Sequence, residues 1–437
     1  MLKTLKNAFK ITEIRHKLLF TLAMLVVIRI GSNMPVPGTD SAFLKDLLDR
    51  LTGEASVLIN AFSGGSLEQF SILALGISPY ITSSIIIQLL TIAIPKLEEM
   101  QKDGEDGKKK LAAITRYVTV ALAVIQATAM AIGFGSQGLL TNYNALSVIA
   151  VVITLTAGSA FLMWVGERIT EKGVGNGISI VLVINILATM PADFTGLFNS
   201  FVVGKPVATA ILNAVIILAI LIAMIIFIVL LNDGVRNIPV QYAGKVNGRR
   251  GVGGNNSKIP LKINTSGVIP VIFASSILTA PNLIVSFFGI KVAPWVQELL
   301  NYSSSQNWFK MENLKYSIGL LVYIVLIIAF AYFYTSVTFN PMMIADNMKR
   351  QGGLIPGVRP GRHTSDYLNS VLNKIVLIGA VGLTIVSVVP YIFTGVFNIS
   401  VSFAGTSLII VVSVIIETIK QIEAQMLVRN YKGFLNN

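Results

Sequence analysis

Residues 62–87 read FSGGSLEQFSILALGISPYITSSIII, and the order of residue types in this stretch decides how the chain is organised. The stretch is apolar enough to cross a hydrocarbon layer, which takes about 20 helical residues. Gly64, Gly65, Gly76 and Pro79 interrupt it. Glycine carries a backbone-entropy penalty inside a helix and proline lacks the amide donor, so a short outer piece and a longer inner helix are expected. Residues 265–278, TSGVIPVIFASSIL, repeat the pattern: Gly, two residues, Pro, one residue, Ile, then Ser-Ser-Ile. Gly76, Pro79 and Ile81 in one half thus match Gly267, Pro270 and Ile272 in the other. Paired Gly/Pro-broken spans at equivalent places in two halves point to a substrate path at the interface of inverted repeats.

Working outward, 54% of the 437 residues are hydrophobic and 13% charged, whereas soluble domains carry about 25% charge. About ten apolar runs qualify as spans, each near the 20 residues a bilayer needs: 18–34, 67–94, 112–134, 146–165, 178–190, 207–231, 263–288, 316–339, 375–393 and 401–419. The fifth is short. Topology retains it, because the intervening loops then alternate between basic and non-basic, with roughly 27 Lys and Arg inside and roughly six outside. The fold class read from this pattern is an all-α polytopic membrane protein with both termini cytoplasmic.

The organisation expected is a cytoplasmic amphipathic segment (1–17), an N-terminal half (18–190), an external hinge (191–206), a C-terminal half (207–419) and a cytoplasmic tail (420–437). Loops 232–262 and 340–374 are long, basic and rich in turn residues, as in NGRRGVGGNN (247–256) and GGLIPGVRPGR (352–362). They suit either docking arms or flexible connectors. The net charge of +13 is mostly a topology signal plus attraction to anionic headgroups; DNA binding is not expected.

Tools for catalysis or pumping are missing from the sequence. There is no cysteine and no phosphate-binding loop ending in GK[ST]. His16 and His363 lie apart in cytoplasmic segments, so neither a metal site nor a cofactor is expected. Coupled transporters bury acidic residues in mid-membrane, but here Glu167 and Glu417 lie near helix ends. Arg29 is the main charge inside a span, and two readings stand open for it: its long stem snorkels to the outer interface, or it pairs with an acidic loop residue. What remains is an uncharged path with rows of Ile, able to exclude ions by dewetting. The alternative is an inverted-repeat secondary transporter for a small solute, which would need a polar midplane site.

The chain closely resembles the SecY family of protein-conducting channels. The stretches that carry the likeness are RIGSNMPVPG from Arg29, FSGG from Phe62, LGISPYITSSIIIQLLT from Leu75 and LMWVGERITEKGVGNGISI from Leu162. NGRR from Asn247, PLKIN from Pro260, GVIPVIFASSI from Gly267, PGVRPG from Pro356 and GTSLIIVVSVI from Gly405 extend it along the chain. The resemblance implies two inverted five-helix halves around an hourglass pore in a bacterial cytoplasmic membrane. It implies a pore ring of Ile77, Ile81, Ile178, Leu182, Ile272 and Ile410, the leucine departing from the family's isoleucine. A plug would occupy about 59–70, including Phe62, Ser63, Gly64, Gly65, Ser66 and Leu67. Gln88, Thr91 and Asn264 would line a lateral gate, and Arg249, Arg250 and Arg359 would dock partners. Those partners would be the SecA ATPase and the ribosome, with SecE and SecG as companion subunits and signal peptides and nascent polypeptides as clients.

Overall fold

The computed structural model describes residues 2–40, 63–204, 206–242, 246–247, 250–251, 256–288, 293–304, 307–309, 315–397 and 405–435. Phe62, the rest of the expected plug before it, and Arg249 lie outside the described residues, as does the side chain of Arg250.

A short amphipathic helix α1 (Leu2–Lys10) leads into α2 (Thr12–Ser32). The next regular helix is α3 (Ser78–Ala93), with Pro79 in its first turn, where the missing amide donor costs nothing. Ile94 is extended ahead of Pro95, as a residue before proline prefers to be. The chain then bends by 104° into α4 (Pro95–Lys102). Helices α5 (Gly104–Phe134), α6 (Ala145–Lys172), α7 (Gly177–Phe201) and α8 (Val207–Asp233) follow. After a β-hairpin come α9 (Ile269–Phe288), α10 (Pro294–Ser303), α11 (Ile318–Thr338), α12 (Pro341–Arg350), α13 (Arg362–Phe397) and α14 (Gly405–Leu435).

Six described helices are long and apolar enough to cross a membrane, or seven if the bent α3–α4 pair counts as one span. The short fifth run lies in α7, a continuous 25-residue helix that accommodates Pro191 and runs through 191–201, residues assigned to the hinge from sequence.

Two expectations need correcting. Among the described residues, 64–70 and 72–77 fold as turns and not as a helix leading into α3; Ser63 is helical, and residues 41–62 before it lie outside the described residues. Gly64, Gly65, Phe70 and Gly76 have φ of +66, +81, +43 and +59, values that no right-handed helix contains. Nor is the chain all-α. Strand β1 (Val235–Tyr242) pairs antiparallel with β4 (Asn256–Lys262), and β5 (Gly353–Leu354) joins the other edge of β1. Ile238 and Val240 alternate inward onto Leu261, Met348, Ile355, Leu368 and Ile375. The two long loops are therefore one sheet-linked unit. At the hairpin end, β2 (Val246–Asn247) pairs with β3 (Arg250–Gly251).

Helices α3 to α7 pack largely in sequence order, while α13 packs against α11, α12 and α14, and α11 also against α9. Close backbone approach occurs at matching places. In α6, a Cβ on Gly158 would run into the carbonyl oxygen of Ile72, four residues before Gly76. In α13, a Cβ on Gly379 would run into the carbonyl oxygen of Ile263, four residues before Gly267.

Candidate functional site

Helices α3 and α9 each begin two residues after a left-handed glycine, Gly76 at φ +59 and Gly267 at φ +64. Each motif thus aims its proline and isoleucine from the first turns of a helix. Helix α7 begins where Asn176 accepts amide hydrogen bonds from Ile178 (3.1 Å) and Ser179 (3.4 Å), satisfying two otherwise orphaned donors. A Cβ on Gly177 would strike the Gly166 carbonyl, so glycine lets α7 start hard against α6.

These starts bring Ile77, Ile81, Ile178, Leu182, Ile272 and Ile410 into one apolar cluster drawn from α3 and its lead-in, α7, α9 and α14. Ile77, Leu182 and Ile410 are buried, while Ile81, Ile178 and Ile272 are partly buried. A cavity of about 760 Å³ is lined by every member of the six except Ile77. Val268 and Val414 also belong to both the cluster and the lining; an apolar residue in an apolar span gives no sequence signal that singles it out.

Of the expected gate residues, Gln88 and Asn264 line the cavity. Thr91 does not: it is buried, and its hydroxyl donates to the Gln88 carbonyl at 2.6 Å. Asn264 Nδ2 donates to Asn232 Oδ1 (2.9 Å), and Asn232 Nδ2 donates to Ser413 Oγ (2.8 Å). This chain joins the lead-in to α9 with α8 and α14. Sequence reasoning missed Asn232 and Ser413; the available signal was a single amide ending the apolar run of α8. Lys262, Glu417 and Lys420 complete the polar rim, and Lys420 pairs with Asp233 at 2.6 Å on the exposed side. Among the described residues no group of His, Asp and Glu could hold a metal ion.

Ser63, Ser66 and Leu67 are buried. Their segment is stitched to the residues after α2 by Val36 N–H to the Phe70 carbonyl (3.0 Å) and Ile72 N–H to the Met34 carbonyl (2.9 Å). Arg29 does not snorkel outward. Its guanidinium donates to the carbonyls of Gly64 (3.2 Å) and Ile184 (2.9 Å) and to Asn185 Oδ1 (3.0 Å). Arg359 is exposed on the turn between Gly357 and Gly361, just before α13.

Comparison with known proteins gives one answer. A family model described as SecY matches residues 71–419. The protein translocase subunits SecY of Bacillus licheniformis and Bacillus subtilis are each 42% identical to this chain, and each alignment covers all of both proteins. In Streptomyces scabiei the protein of the same description is also 42% identical over the full length. Among solved structures, one described as a protein-conducting channel has a TM-score of 0.64 at 18% identity, covering 95% of this chain and 93% of its own. A channel from a canine ribosome-channel complex gives 0.63 at 18%, covering 94% and 93%. Likeness at that identity speaks for the fold. The sequence identities and the match over 71–419 establish more: this chain belongs to the SecY family of protein translocase subunits.

Proposed function

We propose that the polypeptide path runs through the cavity between α3, α7, α9 and α14, and that the six clustered aliphatic side chains close it at rest. The chain itself is the channel subunit of a protein translocase, a multi-pass membrane protein and not an enzyme. The observation carrying the proposal is that Ile77, Ile81, Ile178, Leu182, Ile272 and Ile410, from four segments distant in sequence, share one apolar cluster, and that all of them but Ile77 line one cavity. A narrow aliphatic constriction sheds water and so blocks ions. Widened by an entering extended chain, the same side chains contact it without demanding any particular sequence.

In this reading the chain spans the membrane ten times in two inverted halves, 18–190 and 207–419, joined through 191–206, with both termini cytoplasmic. The basic loops and the matched contacts of Ile72 with Gly158 and Ile263 with Gly379 support it. The amphipathic 1–17 segment and the 420–437 tail lie on the cytoplasmic side. Residues 59–70 form the plug. Helices α3 and α9 flank the lateral gate, with Gln88, Thr91 and Asn264 along it. A signal helix that prefers the open gate shifts the closed–open equilibrium by its difference in affinity for the two states. The sheet-linked unit carrying Arg249, Arg250 and Arg359 is the docking arm for the SecA motor or a ribosome; a related channel is described in a ribosome-channel complex. SecE and SecG accompany the channel, and anionic lipids meet its basic cytoplasmic face. The solute-transporter alternative is set aside, since the family is one of translocase subunits and five of the six clustered aliphatic side chains line the cavity.

Conductance of the reconstituted channel tests this. Ile81→Asn and Ile272→Asn are expected to raise resting ion leak and relax selectivity for signal sequences. Unchanged leak and selectivity in both variants would count against the pore assignment.

A further inference from the structure

We propose that Arg29 is a latch holding the outer mouth shut by gripping the backbone of the segment that enters the pore region. Three features carry the inference. First, the guanidinium is half-buried inside a span and donates to three acceptors on two other parts of the chain: the Gly64 carbonyl, the Ile184 carbonyl and the Asn185 side chain. Its Nε is buried without a hydrogen-bond partner among the described residues, so the side chain gives up hydration to make this grip. Second, Gly64 sits at φ +66, and a Cβ there would lie 2.8 Å from Arg29 Nη2 and 2.8 Å from the Asn185 Cα. The segment is held between α2 and α7 at a point only glycine fits. Third, the grip falls on backbone, so it fixes position without depending on the side chains of the held segment.

Hydrogen bonds to a charged donor are stronger than neutral ones, and the planar fork serves separated acceptors that an ammonium cannot reach together. Parting α2 from α7 breaks the bonds to Ile184 and Asn185, and withdrawing residue 64 breaks the bond to the Gly64 carbonyl while those to α7 can persist. The latch therefore favours the closed state specifically, and losing it shifts the equilibrium toward open.

The inference rests on the pore reading above, and the test separates the two. Arg29→Gln removes the charged fork; Gly64→Ala leaves the charge and displaces the held backbone. In proteoliposomes, each is expected to raise resting ion leak about tenfold, in line with losing a charge-assisted hydrogen bond. Each is also expected to raise the ratio of transport of a signal-defective precursor to that of the intact one. A merely destabilised channel would lose both precursors in proportion, with the ratio unchanged, and that result would overturn the latch. Tight channels in both variants beside a leaking Ile81→Asn channel would overturn it while leaving the pore reading intact. Tight channels in all three would remove both.

Discussion

The two broken spans begin with the same residues and lead to opposite surroundings. Upstream of Gly76 the chain is buried, stitched to residues 34–36 and gripped by Arg29 at Gly64. Upstream of Gly267 it lines the open cavity and passes at once into the basic β-hairpin, and a Cβ on Gly267 would meet nothing within 4 Å. Yet in both, an isoleucine carbonyl four residues before the glycine abuts a glycine in the penultimate expected span of its half. One motif thus starts two helices of the apolar cluster, and its flanking context buries one lead-in and sets the other along the cavity.

The matched contacts supply the sharpest way to break this comparison. Gly158→Val and Gly379→Val each push a side chain into a neighbouring carbonyl, and overpacking of this kind costs about 1–3 kcal/mol. Comparable losses in thermal unfolding of the detergent-solubilised protein are expected at both sites. A loss at one site alone would mean that the two halves are not built on the same contact.

A smaller effect is expected where the halves differ. Arg359→Glu reverses a charge on the exposed turn before α13, outside the apolar cluster. Like charges placed against a complementary surface suppress association, so partner-driven transport should fall about tenfold, with insertion and resting leak retained. Normal SecA-driven transport by this variant would remove Arg359 from the docking surface.

What the sequence reveals about this molecule depends on how local the cause is. The helix starts at Ser78 and Ile269 follow from Gly and Pro within a few residues, so both are readable from the chain, as are the isoleucines that those starts aim inward. The sheet is harder to read. In β1, VRNIPVQY, the buried pair Ile238 and Val240 shows too short an alternation to stand out in a basic, turn-rich loop, and the partner strand β5 lies over a hundred residues away. Arg29 misleads for a related reason. A cation near a helix end ordinarily reaches for water. Here its acceptors come from a left-handed turn at residue 64 and from α7, and only the tertiary fold brings them within reach. Asn232 and Ser413 likewise acquire meaning only once Asn264 is brought beside them.

The central claim is that polypeptide passes between the two motifs, and crosslinking tests it most directly. The chain has no cysteine of its own, so single cysteines at Ile81 and Ile272 can be probed against a stalled secretory polypeptide carrying one. Ile222 on α8, 49% exposed and away from the cavity, serves as the control. Adducts at both motif positions and none at the control are the predicted result. Failure at both, with the polypeptide demonstrably engaged, would contradict the path described here.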